Sequence, residues 1–194
     1  MVKVDPRIRR TRQMLQQAMQ ALLKEKDFLD INVQDIAEHA DLNRATFYKH
    51  FTDKYDLLNT LVRERFQIRL DAALPENPSL SAETVGILIQ TTYDYLENFH
   101  SDCLKARPHS EQVLILHSMQ HQIYENLLTW LQSCRTQNNA GDQGLEMIAL
   151  LASWAIFGPI FQVAWSIVQL PKQDMIRQVT ALVYSILTPY LFAA

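Results

Sequence analysis

The side chains best equipped for chemistry fall in one short stretch, between roughly Asn32 and Lys54. Arg44 carries a planar, five-donor fork that matches the O6 and N7 edge of a guanine. Thr46 offers a hydroxyl for a phosphate and a methyl for a thymine. Tyr48 and His50 can reach phosphates or base edges, and Asn43 and Ala45 belong to the same outward set. Gln34 and Lys54 each stand where a helix is expected to begin. A helix N-terminus attracts anions, so both are phosphate candidates. Lys3, Arg7, Arg9, Arg10 and Arg12 face Asp5 alone in the first twelve residues. This basic arm suits either a polyanion or plain solvation.

These residues need elements to position them. The chain has 194 residues, four glycines and seven prolines, and 48% of it is hydrophobic. Few turn formers and many helix formers predict an all-α protein, with about nine helices. The first helix is expected over about 6–26, with Asp5 as its cap and Pro6 at its first position. Leu15, Ala18, Met19, Leu22 and Leu23 form its apolar stripe. A short helix over 33–40 follows Asn32 as cap. Asp41-Leu42-Asn43 breaks it, and a second short helix over 44–50 begins behind Asn43. Asp53 caps a long helix over 54–74, with Tyr55, Leu58, Val62, Phe66 and Arg69 as its expected core stripe and Leu61 and Ile68 beside them. Pro75 and Pro78 mark a boundary between 1–74 and 79–194.

Two short helices joined by a three-residue turn, bracketed by longer ones, have the form of a helix-turn-helix. Short helices are marginal alone. Ile36, Ala37, Leu42, Phe47 and Phe51 are expected to anchor them, leaving Arg44, Ala45, Thr46, Tyr48 and His50 outward to enter a major groove. His39 and Lys49 are read as solvated. The stretch Val33-Gln34-Asp35-Ile36-Ala37-Glu38-His39-Ala40-Asp41-Leu42-Asn43-Arg44-Ala45-Thr46-Phe47-Tyr48-Lys49-His50-Phe51-Thr52-Asp53-Lys54-Tyr55-Asp56-Leu57-Leu58 closely resembles the DNA-binding signature of the TetR/AcrR family. The resemblance lies in an Ile-Ala early in helix two, a Thr-Phe-Tyr-x-His-Phe core, and a Lys opening helix four. Asp41 stands where the family usually has Gly, though Asp tolerates left-handed backbone better than most residues.

The resemblance implies a DNA-binding domain of four helices followed by a divergent helical domain for a small-molecule effector. It also implies a homodimer through the last two helices, 145–170 and 172–192, paired across a two-fold axis. Repression is the family's usual mode. Dimerisation follows on physical grounds too, because one short helix reads too few base pairs. Two copies about 34 Å apart would read a palindromic operator in double-stranded DNA. The alternatives are control by a protein partner rather than a small ligand, or a metal-binding helical protein.

Charge agrees with a polyanion at one end. Through Leu70 there are 13 Lys and Arg against 10 Asp and Glu; the remainder has 5 against 11. The second domain is expected to start with a helix capped by Ser81 and ending near Ser101. A stretch over about 108–137 follows, with one break near His117. Tyr93, Leu96, Phe99, His100, His117, His121, Trp130, Trp154, Phe157 and Phe161 can line an effector pocket, with ordinary core packing as the other reading of each. Trp154, Phe157, Phe161 and Trp165 form an aromatic stripe, with a kink or narrowing expected at Gly158-Pro159.

His117 and His121, four residues apart, have a spacing that can hold a metal, but no neighbouring Glu or Cys completes the set. No metal and no cofactor are expected. No nucleophile elbow, phosphate-cradling glycine loop or acid pair is present, so an enzyme is not expected. Cys103 and Cys134 are too far apart for a metal clip. The start lacks a leading apolar segment, which predicts a cytoplasmic protein with reduced thiols. The run Met147 to Phe161 is shorter than the roughly 20 residues of a membrane span and is read as a core or interface helix.

Overall fold

The computed structural model describes residues 5–103, 111–134, 142–164 and 167–190, with side chains at 5–98, 116–134, 144–164 and 167–189. Among them are eight α-helices and no strand: α1 Pro6–Glu25, α2 Val33–His39, α3 Arg44–Tyr48, α4 Lys54–Ala73, α5 Ala82–Cys103, α6 Glu111–Ser133, α7 Asp142–Ala164 and α8 Lys172–Leu187. The expected all-α class holds. The difference from nine lies in α6, which runs unbroken past His117. No Gly or Pro falls between Glu111 and Ser133 to interrupt it.

Side-chain caps set most of the N-terminal boundaries. Asp5 accepts the Arg7 amide at 2.8 Å, ahead of Pro6. Asn32 and Asp35 form a reciprocal capping box, with both bonds at 2.9 Å. Asn43 caps α3 through the Thr46 amide at 2.7 Å, and Asp53 caps α4 through the Asp56 amide at 2.8 Å. Ser81 caps α5 through the Thr84 amide at 3.1 Å. Each satisfies a donor that the helix itself leaves unpaired.

Two compact units are formed: one of residues 1–64 with 101–116, the other of 65–100 with 117–194. In the first, α2 packs on α1 and on α3. Leu15, Met19, Phe28, Ile31, Ile36, Phe47, Phe51, Leu57 and Leu58 are its buried centre. In the second, α7 packs on α8. Its core includes Phe66, Leu88, Ile89, Leu96, Met119, Ile123, Ala152, Ile156 and Val183.

The expected stripe of α4 needs correction. Leu57, Leu58, Leu61, Val62, Phe66 and Leu70 are buried, whereas Tyr55 and Ile68 are 42% and 68% exposed and Arg69 is exposed too. Leu58, Leu61, Val62 and Phe66 are buried as expected at i, i+4 spacing; Leu57 and Leu70 join them, in place of the end residues Tyr55 and Arg69. Arg69 instead lays its guanidinium 5.3 Å from the centre of the Tyr95 ring.

Helix α7 is shorter than expected and ends at Ala164, after which the Ile167 and Val168 amides both bond to the Gln162 carbonyl. It continues through Pro159. Trp165 lies outside the described residues. α7 is long and apolar enough to cross a membrane by length and composition. One face nevertheless packs internally, with Ser153 buried and its hydroxyl accepting from Gln120 at 2.7 Å. Helix α8 ends at Leu187 and passes into a 3-10 turn, Thr188–Tyr190, rather than running to 192.

Candidate nucleic-acid interface

The turn between α2 and α3 sets the angle at which α3 leaves. The Leu42 amide bonds to the Ala37 carbonyl at 2.9 Å and the Asp41 amide to Glu38 at 3.0 Å. This is a Schellman closure, and it requires a left-handed residue at Asp41, whose φ is 55°. Asp41 has the sole positive φ of any non-glycine among the described residues.

Helix α3 has five residues and owes its persistence to packing. Phe47 is fully buried and lies 5.9 Å from Phe51 and 5.5 Å from Tyr48, ring centre to ring centre. With Phe47 inward, helical geometry turns Arg44, Ala45 and Tyr48 outward, and all three are exposed. Thr46 and His50 are half-buried. Arg44 donates to the Tyr48 hydroxyl at 3.1 Å, its guanidinium 5.5 Å from the Tyr48 ring centre. The pair is a braced, solvent-facing cation at the start of α3. Gln34, exposed in the first turn of α2, bonds to Glu38 at 2.6 Å. An open groove of about 450 Å³ is lined by Asn32, Gln34, Arg44, Asp53 and Lys54, so Gln34 and Arg44 border one concave surface.

Other residues of the set have internal work. The Asn43 side-chain oxygen accepts from both the Thr46 amide and, at 2.9 Å, the Thr46 hydroxyl. His50 offers its carbonyl to Arg12 at 3.1 Å. Burial, then the charges of Arg12 and Lys49, hold the His50 imidazole below the usual histidine range. Arg12 also sits 4.4 Å from the Phe51 ring centre and 4.0 Å from Glu64. It therefore departs from the basic arm, of which Arg7, Arg9 and Arg10 remain exposed. Sequence reasoning missed its role. The one available signal was position, since Arg12 precedes the buried Leu15 and Met19 by three and seven residues on a helix.

Lys54 is turned to the backbone ahead of α2. Its ammonium donates to the carbonyls of Phe28 at 2.8 Å, Leu29 at 3.1 Å and Ile31 at 2.7 Å. It also lies 4.6 Å from the centre of the Phe28 ring. An ammonium has three N–H donors, and these three carbonyls use them.

In the second unit the pocket candidates separate. Tyr93, Leu96, Trp130 and Phe157 are buried, and Phe161 and His121 are half-buried. Trp154 is 53% exposed and His117 is exposed, so neither faces the interior of the single chain. The side chains of Phe99 and His100 lie outside the described residues. Phe157 meets Trp154 edge-on at 6.0 Å and Phe161 stacked at 6.2 Å. His117 and His121 stack at 6.4 Å, and His121 lies 3.5 Å from Glu125. Among the described residues, no three His, Cys, Asp or Glu gather to hold a metal.

A polar cluster ties α5 to α8. Lys172 hydrogen-bonds to Asp94, lies 3.8 Å from Glu97 and sits 4.7 Å from the Tyr93 ring centre. Burial opposes the charge of Lys172, but the hydrogen bond and charge of Asp94 outweigh it and raise its pKa. Burial, then Glu97, which accepts from its hydroxyl at 3.3 Å, raises that of Tyr93.

A compact helix-turn-helix with an exposed, cation-bearing second helix defines a nucleic-acid-binding class of protein. Comparison with known proteins narrows this. Residues 16–61 match the family described as bacterial regulatory proteins, tetR family. A 62-residue stretch is 40% identical to an uncharacterized HTH-type transcriptional regulator, YxbF, of Bacillus subtilis, covering 31% of this chain and only 16% of that relative.

Solved structures extend the likeness of fold to most of the chain. A TetR-family regulator from Streptomyces coelicolor matches with TM-score 0.62 and 14% identity, over 95% of this chain and 98% of that one. The TetR family repressor AlkX from a Dietzia strain matches with TM-score 0.50 and 18% identity, over 93% and 94%. RolR, solved in complex with resorcinol, matches with TM-score 0.50 and 18% identity, over 93% and 88%. The sequence match to the TetR family of transcriptional regulators thus lies in the helix-turn-helix region, residues 16–61, and the likeness of fold runs through most of the chain.

Proposed function

We propose that the protein is a homodimeric transcriptional repressor that binds a palindromic operator through α3 and is released when a small molecule binds its C-terminal portion. The single observation carrying this reading is the exposed Arg44–Tyr48 pair on a helix anchored by the buried Phe47. Arg44 reads base edges, Ala45 and Tyr48 flank it, and Gln34 and the α1 arginines Arg7, Arg9 and Arg10 bond to phosphates. Thr46 and His50 shape the surface from their half-buried positions. The DNA-binding part is 1–74 and the effector and dimerisation part is 79–194.

The dimer forms through α7 and α8. Met147, Leu151 and Trp154 on α7, with Leu182 and Ile186 on α8, are exposed apolar side chains on two helices packed together. Such a patch favours burial against another protein surface, here a second copy. Effector binding favours a spacing of the two α3 helices that no longer matches successive major grooves, and DNA is released. Helix α4, continuous from Lys54 to Ala73, gives the covalent path for that change. The chain works in the cytoplasm and carries out no catalysis. RolR with its resorcinol and AlkX as a repressor supply the precedent for a small ligand and for repression.

A mobility-shift assay with the DNA upstream of its own gene tests the reading. The protein is expected to retard that fragment, and Arg44→Ala to lose about 1–3 kcal/mol of discrimination against unrelated DNA. No retardation by the intact protein, or equal binding by Arg44→Ala, overturns it.

A further inference from the structure

We infer that Lys54 is a positioning residue for the DNA-binding surface: its ammonium gathers three backbone carbonyls ahead of α2 and does not contact phosphate. The inference rests on the DNA-binding reading above. The three carbonyls belong to the 3-10 turn Phe28–Asp30 and to the residue after it, Ile31. Ile31 directly precedes Asn32, the cap of α2, and Gln34 follows two residues later. Lys54 opens α4, and the turn it holds opens α2. One ammonium thus fixes the start of α2 against the start of α4, on the wall of the groove that Gln34 and Arg44 border.

The chemistry favours lysine over arginine at this place. Three carbonyls converge on one point, which suits the tetrahedral N–H donors of an ammonium. A guanidinium spreads its donors over a planar fork and cannot serve three convergent acceptors at one nitrogen. On a phosphate the preference reverses, because arginine binds phosphate at least as well. Lys54→Arg therefore separates the two roles while leaving the charge in place.

The test measures binding of a short mixed-sequence duplex by fluorescence anisotropy across a range of salt concentrations, below the melting transition. It uses the parent, Lys54→Arg and Lys54→Met. Both variants are expected to bind roughly three- to tenfold more weakly and to melt roughly 5 °C lower. The slope of log affinity against log salt is expected to stay within error of the parent. Each lost phosphate contact lowers that slope by about 0.9, so a fall of that size in Lys54→Met overturns the proposal. Lys54→Arg binding as tightly as the parent overturns it as well, as does lowered melting with unchanged affinity. If Lys54→Arg does not fold, Lys54→Met carries the comparison, since it keeps the stem over Phe28. A parent that binds no duplex at all sinks the DNA-binding reading itself. The carbonyl clamp is then judged on melting, with Lys49→Gln as the exposed control, and equal melting of all variants overturns it.

Discussion

The Gln122 side-chain amide on α6 donates to the Gln67 side-chain oxygen on α4 at 2.9 Å, and Asn126 donates to the same oxygen at 3.2 Å. Gln67 in turn donates to Asp71 at 2.6 Å. This amide network registers the second half of α4 against α6. Gln122 is buried, so removing the Gln67 oxygen takes one hydrogen bond from a buried amide. Gln67→Met is expected to cost about 1–3 kcal/mol in chemical denaturation. Replacing both partners by apolar groups of similar shape removes the buried amide together with its acceptor, so Gln67→Met with Gln122→Met is expected to recover part of that loss. Additive losses would show that the bond does not couple the two helices.

Asp41 invites a substitution that stabilises. At φ 55° the Cβ of an L-residue crowds the following carbonyl oxygen, and glycine has no Cβ to do so. Asp41→Gly is expected to raise the melting temperature by roughly 1–3 °C, a gain of about 0.5–1 kcal/mol reduced by the greater freedom of the unfolded chain. Asp41→Val is expected to lower it. A lower melting temperature for Asp41→Gly would show that the Asp side chain contributes more than its backbone strain costs.

The exposed apolar patch of α7 and α8 sets a third expectation. Leu182 is 66% exposed and Trp154 53% exposed in the single chain. A charge at either site costs little in a monomer but is buried unpaired in a dimer. Leu182→Glu and Trp154→Glu are expected to sediment as monomers at concentrations where the parent is a dimer, with unchanged helical content by circular dichroism. A parent that is monomeric would overturn the dimer, and variants that remain dimeric would place its interface elsewhere.

How much of this was legible beforehand depended on how local each feature is. Asp5, Asn32, Asn43, Asp53 and Ser81 act within three residues of themselves, so side-chain type and position were enough to place five helix starts. The placing of Phe47 inward and of Arg44, Ala45 and Tyr48 outward followed from helical period alone. In α4 the period places the middle of the stripe, Leu58, Val62 and Phe66, but not its ends. Tyr55, Ile68 and Arg69 are amphipathic or apolar in type, and only the packed neighbours decide which side of an apolar-rich helix is covered.

By itself, then, the chain's residue order determined the helix-turn-helix, its turn and the display of Arg44, Ala45 and Tyr48, though not the half-burial of Thr46 and His50, because caps, period and backbone preference are properties of near neighbours. Tertiary structure alone decided the fates of Lys54 and Arg12. Lys54 bonds to carbonyls 23 to 26 residues away and Arg12 to one 38 residues away. A cation's role is set by which acceptors the fold brings within about 3 Å of it, and those acceptors are backbone carbonyls, which every residue carries and no sequence pattern marks.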